Sequence, residues 1–152
     1  MRKHIRHAET SVATEEWRNL EEDVEVELTS EDPQMPIEGA LLTEASAGWR
    51  AAGPGRQIIT LTWLAPIAIS RIRLVFEENS RARTQEFVLR ASTDHGQREI
   101  VRQQFTFSPP GTALECEEYA TQLERVSQLE LVIIPAIDDG NAVATLREWR
   151  IA

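Results

Sequence analysis

The side chains best equipped for recognition chemistry stand together in Glu78-Asn79-Ser80-Arg81-Ala82-Arg83-Thr84-Gln85. Guanidinium and carboxamide groups present fixed forks of donors that match hydroxyls and carboxylates. The same composition also describes an ordinary solvated hairpin, and the residues alone leave both readings open. If Arg81 and Arg83 serve a ligand, they are expected to add little to folding, because an exposed ion pair contributes only about 0–1 kcal/mol.

Other reactive residues do not assemble into a catalytic set. His4 and His7 have i, i+3 spacing, but no third ligand accompanies them. His95 falls in an Asp94-His95-Gly96 turn and is expected to be solvated. Cys116 has no nearby histidine to activate it and is read as a small buried or half-buried residue. The pairs Glu21-Glu22, Glu77-Glu78 and Glu117-Glu118 are adjacent in sequence. On a strand, neighbours point to opposite faces, so these pairs make no acid–base couple. Asp138, Asp139 and Asn141 offer oxygens of the kind calcium takes, but an Asp-Gly turn accounts for them. There is no phosphate-cradling glycine loop and no Gly-x-Ser-x-Gly. Lys3 is the only lysine, which leaves no plausible Schiff-base residue. A non-catalytic protein without metal or cofactor is expected.

The composition narrows the partners. The chain has 152 residues and a net charge of −9, so its surface repels phosphate backbones and nucleic-acid binding is not expected. No apolar run approaches the ~20 residues of a membrane span. The basic start, Met1 to His7, has no apolar segment behind it and does not read as a secretory signal. With a single cysteine, a reducing, cytoplasmic setting is expected.

The elements that must position the polar cluster are strands. Ile59, Leu61 and Trp63 alternate with Thr60 and Thr62. After Ala65-Pro66, Ile67 and Ile69 are followed by Ile72, Leu74 and Phe76 in shifted parity. Period-two alternation makes half-buried strands, and the parity shift predicts a bulge or twist. Val24, Val26 and Leu28 form an earlier strand with a wet face of Glu25 and Glu27. Later strands are expected at Phe87–Ala91, Ile100–Phe107, Cys116–Leu123, Leu129–Ile133 and Ala144–Ile151, separated by turn residues at roughly ten-residue intervals. A short helix is expected over Thr14–Glu22, and residues 29 to 47 read as a long polar connection. The organisation is a tail with a short helix over residues 1–23, then one all-β domain over 24–152.

The order of these features resembles the discoidin, or galactose-binding-like, family. Trp49 precedes the Gly53-Pro54-Gly55 turn and the strand Gln57-Ile58-Ile59-Thr60-Leu61; Phe87 to Ser92 leads into Thr93-Asp94-His95-Gly96; Ala144 to Ile151 closes the chain. The resemblance implies a jelly-roll β-sandwich and a binding role, carbohydrate binding first. A cytoplasmic protein–protein interaction module on the same fold is the alternative. Glu38-Gly39 and Glu44 stand where the family often has an Asp-Gly pair, so calcium is not expected. In the resembled family the 78–85 loop lies at the ligand end, beside the connection after the first strand. The ligand-binding set implied is Gln34, Glu78, Asn79, Arg81, Arg83 and Gln85.

Overall fold

A computed structural model describes residues 17–42 and 47–152. The chain forms α1 (Leu20–Asp23), β1 (Val24–Leu28), α2 (Glu38–Leu41), β2 (Trp49–Pro54), β3 (Gln57–Glu77), β4 (Arg83–Thr93), β5 (Gly96–Phe107), β6 (Leu114–Ile134), β7 (Val143–Leu146) and β8 (Glu148–Ile151). The all-β expectation holds, and every strand pairing is antiparallel.

Two 21-residue strands, β3 and β6, pair from Gln57↔Ile133 to Glu77↔Leu114. Their ladder is interrupted between Thr62 and Arg71, where the register shifts three times. There the pair bends and divides into two layers. The first layer runs β5–β4–β6–β3–β1, using Gln57–Thr62 and Gln128–Ile134. The second uses Arg71–Glu77 and Leu114–Ala120, flanked by β8, with the β2–β7 pair beyond. Phe76 of one layer meets Phe87 of the other at 5.0 Å between ring centroids. Ile59, Leu61, Leu131, Leu74 and Trp149 share the buried core between them.

The predicted parity shift at Ser70-Arg71 coincides with one of the register shifts. Ala65-Pro66, which separates the two alternating runs in the sequence, is a bend inside one continuous strand rather than a turn between two. Pro66 lacks a ladder donor, and the bend leaves it outside the Cα register. β6 likewise runs unbroken through what read as two strands, with Arg125 in the left-handed region at φ 57°.

The polar connection contains α2, which the sequence reading passed over. Ile37, Ala40 and Leu41 are buried at helical spacing. Gly39 sits against the Gly48 backbone, where a Cβ would lie 2.6 Å from the Gly48 carbonyl oxygen. The first helix is shorter than expected: it starts at Leu20, with Asn19 as its cap. The Thr14 end of that expected helix, and His4 and His7, lie outside the described residues. Cys116 is exposed, correcting the expectation of burial; it stands beside Arg73 on the outer side of β6.

Ile72 is fully buried in the second layer, whereas Leu64 at the bend is fully exposed. Ile72→Ala should lower the unfolding free energy by about 2–5 kcal/mol. Leu64→Ala should change it by no more than about 0.5 kcal/mol. Urea denaturation of the two variants checks the layer assignment.

Candidate functional site

The ends of β3 lie far from the bend, and a cavity opens beside its Glu77 end. It has a volume of about 190 Å³. One wall is the Glu77–Ser80 turn, a second is the start of β2 at Gly48, Trp49 and Arg50, and a third is Thr145 to Arg147; Met35 closes the rim. This is below the roughly 300–1,000 Å³ of pockets for drug-sized ligands, and suits a single small polar ring.

Strand irregularity places the walls. β7 buries Ala144 and Leu146, while β8 buries Trp149 and Ile151. The parity changes at Arg147, which leaves the ladder, donates its backbone N–H to the Val75 carbonyl at 2.8 Å and turns its side chain outward. Its guanidinium meets Glu77 Oε1 at 2.9 Å. In β2, Trp49 and Ala51 point inward, so Arg50 faces out.

Beneath the cavity lies a buried polar network. Arg83 Nε donates to Glu78 Oε1 at 2.7 Å. Its Nη1 donates to the Pro135 carbonyl at 2.7 Å and to Gln85 Oε1 at 3.1 Å, and its Nη2 to Thr145 Oγ1 at 3.3 Å. The guanidinium also lies 4.8 Å from the Phe107 ring centre. The other Glu78 oxygen accepts from the Ser80 backbone and hydroxyl and from the Arg81 backbone. Burial alone would raise the Glu78 pKa, but the hydrogen bonds from Arg83 and Ser80 hold it below its ordinary value. Gln85 Nε2 donates to Glu115 Oε1 at 3.4 Å, and Glu115 Oε2 has no hydrogen-bond partner among the described residues. Burial, then the nearby Glu117 charge, pushes the Glu115 carboxyl up to about 7.

The expected site residues therefore separate. Glu78 and Asn79 line the cavity. Arg83 and Gln85 are buried below it and offer nothing to a ligand, because their donors are already engaged inside the protein. Arg81 is exposed, but lies outside the cavity, paired with Asp139 and donating to the Asn141 carbonyl. Gln34 is exposed and also outside the lining; its backbone N–H donates to Asp32. The sequence reading missed Arg50, Glu77, Ser80 and Arg147. The apolar parity change between Leu146 and Trp149 was the available signal for Arg147.

Two outcomes follow from the network. Arg83→Ala takes the central donor out of a buried network and leaves the half-buried Glu78 carboxylate without its partner, and should cost about 3 kcal/mol, whereas Arg81→Ala should cost no more than about 1 kcal/mol. Thermal unfolding of the two variants separates them. Glu115 has a raised folded-state pKa, so its favourable contribution is full below the ordinary carboxylate value and is lost as pH rises through about 7. The melting-temperature difference between Glu115→Gln and the parent should therefore move in the variant's favour from pH 5 to pH 8; a difference flat with pH would contradict the assignment.

No protein-family model and no curated protein matches the chain. Solved structures do. The family 32 carbohydrate-binding module of AlyQ, in complex with 4,5-unsaturated mannuronic acid, superposes with a TM-score of 0.60 at 17% identity, covering 86% of this chain and 95% of that one. The family 32 module of C. perfringens NanJ, in complex with galactose, gives 0.59 at 12% identity over 84% and 92%. A pectin-binding carbohydrate-binding module gives 0.60 at 16% identity over 86% and 90%. The chain is thus a β-sandwich with the galactose-binding-like, discoidin-type fold of the family 32 carbohydrate-binding modules.

Proposed function

We propose that the protein is a non-catalytic carbohydrate-binding module, and that its ligand enters the cavity between Arg50, Asn79 and Arg147. The observation that carries this is a shallow cavity of mixed polar and apolar lining, with the exposed fork-shaped side chains of Arg50, Asn79 and Arg147 around it, in a sandwich superposable on glycan-binding modules. The ligands named for those neighbours, galactose, an unsaturated mannuronic acid and pectin, support a glycan here.

The cavity's chemistry favours binding over catalysis. Hydrolytic sugar chemistry needs one carboxyl that donates a proton while another stays ionised. Glu78 is held ionised by Arg83 and its neighbours, and Glu77 is paired with Arg147. Glu78 is therefore not the proton donor that such chemistry needs. Asn79 and Arg147 present donors for ring hydroxyls, while the Ser80 hydroxyl, whose proton goes to Glu78, is left to accept.

Binding to a glycan array should give hits that Asn79→Ala and Arg147→Ala each weaken, by roughly 0.5–3 kcal/mol per lost hydrogen bond. An array without hits, joined with a pull-down recovering one specific protein, would replace this reading with a protein-interaction module on the same fold.

A further inference from the structure

We propose that Arg50 makes the cavity a receptor for a sugar carboxylate, that is, for a uronic acid residue rather than a neutral sugar. This rests on the carbohydrate-binding reading above and names its ligand class.

The chain is acidic, with 25 Asp and Glu against 16 Lys and Arg. An arginine in such a protein, exposed or buried, readily finds a carboxylate. Arg18, Arg71, Arg73, Arg81, Arg83, Arg90, Arg102, Arg125, Arg147 and Arg150 all do so. Among the described residues, Arg50, Arg56 and Arg98 are the arginines with no ion pair. Of these three, only Arg50 lines the cavity.

Among the charges that line the cavity, Glu77 faces Arg147 and Glu78 is taken by Arg83 beneath it, which leaves the guanidinium of Arg50 without an ion pair among the described residues. Its backbone is fixed at both ends of the peptide unit. The Arg50 N–H donates to the Met35 carbonyl at 3.1 Å, and its carbonyl accepts from the Asp32 N–H at 2.8 Å. The side chain makes no hydrogen bond among the described residues, so all its donors are free for a ligand. A planar guanidinium matches a carboxylate through two parallel N–H···O bonds, a geometry a neutral hydroxyl cannot offer. Asn79 and Ser80, across the cavity, are left to meet the ring hydroxyls.

The test is calorimetric titration of the intact protein with four acidic oligosaccharides, built from galacturonate, glucuronate, mannuronate and guluronate. Each is paired with its methyl ester, and galactose and mannose oligosaccharides are added as neutral probes. At least one acid should bind about tenfold or more tighter than its ester, and raised salt should narrow that ratio. Arg50→Gln should reduce the acid to the affinity of the ester without changing the melting temperature. The inference is overturned if acid and ester bind alike, or if Arg50→Gln keeps the preference. A neutral oligosaccharide that binds in an Asn79-dependent way while no acid does would overturn it and leave the general carbohydrate reading standing. Failure of every saccharide would remove both.

Discussion

The structure depends most on one buried cation. Arg83 touches four separate parts of the chain: Glu78 in the turn after β3, Gln85 on its own strand, the carbonyl of Pro135 after β6, and Thr145 on β7. A guanidinium out of water is tolerated only when its donors are met. Satisfying them fixes the distances between those four segments. Two of them, the Glu78 turn and Thr145, are walls of the cavity. The cavity's walls are thus held in place by the hydrogen bonds of a charge buried beneath them.

The bend in the paired strands β3 and β6 supplies the framework for that arrangement. Folding one long ladder over on itself brings Phe76 onto Phe87 and buries a common core without a crossover helix. It also sends the ends of both strands to the same side, so the turns around 54–56, 78–82 and 135–142 gather there. Loops grouped at one end of a stiff scaffold are where sandwich proteins place their binding residues. The superposition on family 32 carbohydrate-binding modules is a likeness of this framework.

Much of the framework was legible in the sequence because alternation reports burial directly. Ile59-Leu61-Trp63 and Ile72-Leu74-Phe76 announced both halves of β3 and the parity change between them. The continuity of β3 through Ala65-Pro66 was not legible, since a proline and two small residues look the same in a turn and in a bend. α2 escaped because four residues with one buried face give no period to read. Of the residues expected to bind a ligand, Glu78 and Asn79 line the cavity, whereas Arg83 and Gln85 turn their donors inward. In Arg81-Ala82-Arg83, period two puts both arginines on one side, yet β4 begins at Arg83 itself, so Arg81 escapes the strand's geometry. Arg50 and Arg147 were missed for a different reason. They are distant in sequence, and only the pairing of Arg50 with Thr145 in the β2–β7 ladder brings them to one cavity.

The central claim is that a glycan enters the cavity at the Glu77 end of β3. Amide chemical-shift mapping by NMR, with galactose and galacturonate oligosaccharides titrated into the labelled protein, tests it most directly. The account predicts perturbations confined to Met35, Gly48–Arg50, Glu77–Ser80 and Thr145–Arg147, with Gln85 and Glu115 responding weakly through the buried network. Perturbations concentrated on the outer face of β5, or at the bend around Leu64 and Arg125, would contradict it.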